Sequence, residues 1–322
     1  MNRFHRLALA TATSLALLGA AQAQTFPDKP ITFVVPFAAG TATDQIARAL
    51  GNHITAETKQ SVVIDNKAGA SGFIASQYVA KAAPDGYTVL ITTNTTHAAN
   101  EHLYKKLPYD PVKDFAPIAG LGKGGQVMVV NPSFPAKTVA EFIALAKKDP
   151  GKYSFGSGSS SSRMASELLQ QMADIKLLHV PYKSNTLAVT DLLGGQINMM
   201  ITDTTTGLPQ VKSGKLRALG MSSAARSPLA PEVPTIAEAG VKGYEMGYWF
   251  AAYAPAKTPP AVVKRLNELL VKAARSEAAK KSFYEPTGTE VFTTSPEEMA
   301  RFQANESQKW GRIVKAAGIE AE

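Results

Sequence analysis

Ile31-Thr32-Phe33-Val34-Val35-Pro36-Phe37-Ala38-Ala39-Gly40-Thr41-Ala42-Thr43-Asp44 is the stretch that decides how this chain folds. Ile31 to Val35 form an apolar run of strand length, Pro36-Phe37 ends it, and a loop of small residues follows. Thr41-x-x-Asp44 is then the capping pattern that opens a helix. A strand, an open loop and a helix start leave backbone N–H groups unpaired above the loop, at the positive end of a helix dipole. A carboxylate or a phosphate suits such a place.

The same grammar repeats outward from this stretch. Ile46, Leu50 and Ile54 share one face of the first helix. A second strand is expected at 61–65, and a helix at 73–83 ended by Pro84-Asp85-Gly86. A third strand at 88–93 runs into the polar loop Asn94-Thr95-Thr96-His97. Further on, 126–130 reads as a strand, Thr138-x-x-Glu141 opens a helix by a capping box, and 153–155 leads into the serine-rich loop 157–162. Met164, Leu168, Leu169 and Met172 are expected on the inner face of the helix that follows. Strands are expected at 177–180, 197–201 and 216–221, and late helices begin at Thr258-Pro259 and at Ser295-Pro296-x-Glu298. The first of these carries Val262, Leu266 and Leu270 on one stripe, and the second Phe302, Trp310, Ile313 and Val314, with Trp310 read as core. Short apolar strands alternating with helices make an α/β fold whose sheets are largely parallel and covered on both faces.

Two connections break the alternation. Residues 116–125 join strand to strand through Gly120-Leu121-Gly122-Lys123-Gly124-Gly125, and residues 244–254 run extended through Gly247-Tyr248-Trp249-Phe250. Two such crossings bracket an α/β unit, so two hinged domains are expected: 24–123 with 247–322, and 124–246. The cleft belongs between them, at the C-terminal ends of the strands.

Arg3 and Arg6, the apolar run 7–20 and Ala21-Gln22-Ala23 compose an export signal, with cleavage expected after Ala23. The run is shorter than the ~20 residues a membrane span needs. Removing it leaves 32 basic residues against 26 acidic ones, spread singly along the chain. That dispersion excludes a nucleic-acid footprint. The absence of cysteine excludes disulfides, thiol nucleophiles and thiolate metal sites.

Among the chemical signals, Gly120-x-Gly122-x-x-Gly125 matches a dinucleotide fingerprint in letters only, because a β-type run and not a helix follows it. No Gly-x-Ser-x-Gly elbow occurs, so the hydroxyls and N–H groups of Ser157-Gly158-Ser159-Ser160-Ser161 are read as an oxyanion cradle rather than a nucleophile. No metal or cofactor is expected: His53, His97, His102 and His179 have no zinc-binding spacing. Only His97 lies in a candidate ligand loop. Asp203 closes an apolar strand, either as a helix cap or as a ligand contact. Arg163 sits against a helix dipole, facing either an anion or solvent.

Several ordered motifs resemble the periplasmic solute-binding proteins of the tripartite tricarboxylate transporter family, also called the Bug family. They are the stretch from Pro36 to Asp44, Ala83-Pro84-Asp85-Gly86-Tyr87, Lys106-Leu107-Pro108-Tyr109-Asp110-Pro111, Phe115-Ala116-Pro117, Val180-Pro181-Tyr182-Lys183, Asp191-Leu192-Leu193-Gly194-Gly195-Gln196, Gly214-Lys215-Leu216-Arg217-Ala218-Leu219 and Val233-Pro234-Thr235. The resemblance implies a two-domain, class II periplasmic-binding-protein fold that closes on a small carboxylate. It also implies delivery to a permease of one large and one small membrane subunit. Ligand positions carried over from the family fall on Phe37, Ala38, Ala39, Gly40, Thr41 and Thr43, on Asn94 and Thr95, on Ser157 to Ser161, and on Asp203. The chain departs from the family pattern at Thr41, where glycine is usual, and at Arg163, where histidine is frequent. Tyr248 and Trp249 face either the cleft or the hinge.

The expectation is a monomeric periplasmic carboxylate receptor that is not an enzyme. The alternatives are a ligand-sensing subunit for a membrane kinase and an exported hydrolase.

Overall fold

The computed structural model describes residues 26–316 and 318–321. The export signal and the bond after Ala23 lie outside the described residues. Strands β1 (Ile31–Val35), β2 (Val62–Asn66) and β3 (Thr88–Thr93) pair in parallel around β1. Helices α1 (Ala42–Thr58) and α2 (Phe73–Ala80) connect them, as parallel neighbours require. The second helix stops three residues short of its expected end. A five-residue π-type turn, Thr95–Ala99, and the short α3 (Asn100–Leu103) follow β3.

The Gly120–Gly125 connection is extended, in keeping with its strand-like reading. It is the middle of the 16-residue strand β4 (Phe115–Val130). Its residues from Phe115 to Gly125 pair antiparallel with β9 (Gly247–Pro255), which in turn pairs antiparallel with β3. From Gln126 onward β4 changes partner and pairs antiparallel with β7 (Met199–Asp203), and from Val127 with β8 (Arg217–Met221). Strands β5 (Ser154–Ser157) and β6 (Leu178–Pro181) continue that half in parallel, giving the order β2-β1-β3-β9-β4-β7-β5-β6. The two-residue β10 (Glu290–Val291) lies beside β4. Two lobes thus share one long strand, and β9 lies alongside its first half.

Helices α4 (Val139–Lys148), α5 (Ser160–Ala173), α6 (Asn185–Leu193) and α7 (Thr204–Lys212) cover the second half. Helices α8 (Pro260–Arg275) and α9 (Pro296–Ala316) return to the first. Local capping starts several of them where the letters put them. Thr138 accepts from the Glu141 N–H. Ser295 and Glu298 exchange reciprocal bonds, 3.1 and 2.8 Å.

The inner stripe of α8 is Val263, Leu266, Leu269 and Leu270, while Val262 is only half-buried. Met164, Leu168 and Leu169 are buried on α5 as expected, but Met172 is 39% exposed. The reason lies at the helix end. Asp174 takes the left-handed conformation (φ 49°), and the Ile175 N–H returns to Gln170 O. This Schellman-type turn folds Ile175 into the place a further inward methionine would fill. Trp310 is fully buried.

Candidate functional site

Four helix starts meet in the cleft between the lobes. The walls of its inner chamber comprise Phe37, Thr41, Ala42 and Thr43 from the start of α1, and Gly158, Ser159 and Ser161 from the start of α5. Ser184 and Asn185 come from the start of α6, Asp203 and Thr206 from that of α7, and Thr93, Gln126, Tyr248 and Phe250 from β3, β4 and β9. Each helix contributes unpaired N–H groups and about half a positive charge at its first turn.

The caps show how each start is held. At α1 the expected Thr41 cap is not formed by Thr41, whose hydroxyl donates to Ala38 O. Asp44 reaches back instead, accepting from the Gly40 N–H at 2.9 Å. Gly40 can present that N–H because it adopts φ +82°, where a side chain would be strained. Burial raises the Asp44 pKa, but bonds from Arg48, the Gly40 N–H and Asn66 outweigh it, and the carboxyl titrates below its usual range. Ser159 caps α5 through the Ser162 N–H, and Ser184 caps α6 through the Leu187 N–H.

Asp203 Oδ1 accepts from both the N–H and the hydroxyl of Thr206, each at 2.8 Å. Its Oδ2 accepts from Asn185 Nδ2 at 3.0 Å, and Asn185 Oδ1 accepts from the Gly158 N–H at 2.9 Å. Asn185 therefore ties three helix starts together. Asp203→Ala should lower stability by about 0.5–2 kcal/mol, the usual range for a lost N-cap. Urea unfolding of the variant beside the parent checks this, and an unchanged midpoint would show that the cap contributes nothing.

The sequence-derived candidates do not all reach the inner wall. Phe37, Thr41, Thr43, Gly158, Ser159, Ser161 and Asp203 do. Ser157 and Ser160 line an adjoining outer chamber, which Phe37, Gly158 and Ser159 share. Ala38, Ala39 and Gly40 are exposed and lie on neither wall. Asn94 and Thr95 are fully buried behind the wall, with Asn94 Nδ2 donating to Gly247 O, and Thr93 is the β3 residue that faces the chamber. The ambiguity at Tyr248-Trp249 resolves by strand alternation. Tyr248 lines the inner chamber, and its hydroxyl pairs with Thr289 and Thr204. Trp249 packs on Phe302 and donates to Glu306.

His97 is also away from both chambers. It is fully buried and stacks on Tyr253 with centroids 3.9 Å apart, and Thr96 Oγ1 lies 2.8 Å from its Nδ1. Burial pushes its pKa down to about 3.

Sequence reasoning missed Ala42, Thr93, Gln126, Ser184, Asn185, Thr206 and Phe250. The Ser184-Asn185 pair after a short strand was a cap signal that could have been read. Gln126 carried none, since its value comes from standing where β4 changes partners. Its Oε1, like Asn94 Oδ1, Thr95 Oγ1 and Thr205 Oγ1, is buried without a hydrogen-bond partner in the protein. Such groups are few in native proteins, and each calls for a ligand or a water. Chemically, the inner chamber offers neutral donors and helix dipoles. Among the described residues its only acidic or basic side chain besides the Tyr248 phenol is the capping Asp203. That arrangement suits a small anion, with no lysine, arginine or histidine on the wall among the described residues.

Known proteins carry the same arrangement of chain. The model of the tripartite tricarboxylate transporter family receptor matches residues 46–319. BugT of Bordetella pertussis is 35% identical over 299 residues, spanning 92% of this chain and 91% of that one. The structure of R. palustris Rpa4515 with adipate superposes with a TM-score of 0.88 at 35% identity, covering 92% of this chain and all of that one. MatC (Rpa3494) from Rhodopseudomonas palustris with bound malate gives 0.84 at 30% identity, covering 90% and 100%. With a family model spanning most of its length and relatives at this identity, the chain belongs to the tripartite tricarboxylate transporter family of receptors.

Proposed function

We propose that this protein is a periplasmic receptor, exported with cleavage after Ala23, that binds a small carboxylate in the inner chamber and hands it to the large and small membrane subunits of a tripartite tricarboxylate-type transporter. The observation that carries this is the meeting of four helix starts on one chamber with, among the described residues, no lysine, arginine or histidine on its wall. Each start favours an anion by about 0.3–1 kcal/mol when exposed, and more when enclosed. A compact anionic head is thereby favoured over a cation or an uncharged sugar. The adipate and malate carried by the two related structures support a carboxylate over a phosphate. The role is binding and release without turnover.

Domains of 24–123 with 247–322, and of 124–246, would hinge where β4 and β9 cross. One hydrogen bond already spans the mouth, from Ser160 Oγ to Asn100 Oδ1 at 2.9 Å. Entry of a ligand requires that contact to open, and the ligand favours its return by touching both lobes at once. A thermal-shift screen of carboxylates tests the reading: a ligand at 100 times its Kd adds ~2.7 kcal/mol. Small-angle scattering should then give a smaller radius of gyration with the stabilising carboxylate than without. A protein that no carboxylate stabilises would remove the proposal, and an unchanged radius at saturation would remove the hinge.

A further inference from the structure

A loop that binds an anion has to offer donors and keep its own acceptors turned away, because a carbonyl or carboxylate beside a bound acid repels it. The first loop carries two such acceptors close to the cleft. One is the carbonyl of Phe37, a residue that lines both chambers. The other is the carboxylate of Asp44, in the first turn of α1, the helix whose start forms part of the inner wall. One side chain that lines neither chamber holds both. Asn66 Nδ2 donates to Phe37 O at 3.0 Å and to Asp44 Oδ1 at 3.1 Å. A carboxamide suits this task, since its nitrogen carries two N–H donors and can serve two acceptors at once. The same partners fix which way the amide faces, and its oxygen accepts from Arg48 Nη2 at 3.4 Å.

Strand pairing brings Asn66 beneath the loop. Strand β2 runs parallel to β1 in a register that sets Asn66 beside Val35, and the Lys67 N–H donates to Val35 O at 2.9 Å. The last residue of β2 thus stands next to the last residue of β1, where the loop begins. The Asp44 side chain is almost fully enclosed, while that of Arg48, one turn on, is half exposed. Arg48 meets the carboxylate twice, Nη2 on Oδ1 at 2.9 Å and Nε on Oδ2 at 3.0 Å. Arg48 therefore offsets the charge that Asn66 holds in place, and neither it nor Asp44 lines a chamber.

We infer that Asn66 is a positioning residue of the ligand site: it holds the Phe37 carbonyl and the Asp44 carboxylate off the cleft, so that the start of α1 meets an acid with its donors. This rests on the carboxylate-receptor reading above. Asn66 acts through the loop, so its loss is felt equally by every acid that uses this helix start, whatever the rest of that acid looks like.

The test compares the parent with Asn66→Leu and Asn66→Asp, both close to asparagine in shape. Titration calorimetry against adipate and against malate gives affinity, and amide exchange without ligand reports the loop. Asn66→Leu removes both donors and should weaken the two acids by the same factor, about tenfold. Asn66→Asp removes the donors and adds a negative charge beside Asp44, so it should weaken both acids further. In each variant the Gly40 N–H, which is bonded to Asp44, should exchange faster, while the N–H groups of β1 keep the parent's protection. Val63→Ala, at an exposed position of the same strand, should match the parent in both measurements. Parent-like affinity in Asn66→Leu would overturn the inference, as would equal losses in the two variants or parent-like exchange at Gly40. A loss confined to one acid would overturn it too, because it would make Asn66 a ligand contact. Where the parent binds neither acid, the receptor reading is what is in question, and exchange at Gly40 still decides whether Asn66 holds the loop.

Discussion

Gly158→Ala is expected to abolish ligand binding and to lower stability by about 1–3 kcal/mol, the usual cost of forcing an extra carbon into a packed interior. A Cβ at this position would lie 1.8 Å from the carbonyl carbon of Ser184 and 2.1 Å from the Asn185 nitrogen. Both are backbone atoms, so no rotamer change relieves the clash. The β5–α5 turn and the start of α6 would have to separate. That breaks the Gly158 N–H bond to Asn185, and with it the link through Asn185 to Asp203. Three of the four helix starts would lose their common geometry.

Gly40→Ala is the contrasting control. A Cβ there meets nothing within 4 Å, so only the strain of φ +82° is added, about 1–2 kcal/mol. Urea unfolding gives the stability of each variant and calorimetry gives its affinity. Parent-like binding by Gly158→Ala would show that the junction of helix starts does not form the site.

Acid lability is the second large effect. His97 titrates at about 3 in the folded protein because burial disfavours its charged form, against about 6.5 when unfolded. The unfolded chain therefore binds the proton more readily, and stability rises with pH between these values. Read downward, the contribution is complete above pH 6.5, declines through pH 5 and 4, and is lost near pH 3. A difference of about 3.5 pH units corresponds to about 5 kcal/mol over the whole window. Paired carboxylates such as Asp44 add loss of the same sign, so a variant must isolate the histidine. Urea midpoints at pH 7, 5.5 and 4 should converge between the parent and His97→Gln as the pH falls. The variant is less stable at pH 7, because its stack on Tyr253 is gone, yet it has the flatter profile. Parallel profiles would show that the imidazole is protonated in the folded state.

Much of this was legible in the letters, and for a common reason. The strand Ile31–Val35, the loop to Asp44, the capping box at Ser295-Glu298 and the inward face of α1 depend on groups within about four residues of each other. Hydrophobic periodicity and capping act over that distance. The anion-binding character of the first loop and of the Ser157–Ser161 segment followed from the same local rule. Even there the atoms differed from the letters, since the Thr41 hydroxyl turns back to Ala38 O instead of capping the helix, and Asp44 accepts from the Gly40 N–H.

Other features had no local cause. Whether Tyr248 or Trp249 faced the cleft depended on which side of β9 met β4. Whether Thr93 or Asn94 reached the wall depended on where β3 ended against Gly247. Asn185 became a junction only because β5, β6 and β7 pair side by side and deliver three helices to one point. By itself the sequence determined the alternation of elements, their caps and the affinity of their helix starts for an anion, all of which arise within a turn of helix or a single strand. The tertiary structure decided which of those starts converge and which side chains line the chamber they enclose. Those outcomes come from strand pairing between residues tens of positions apart, and no local preference encodes them.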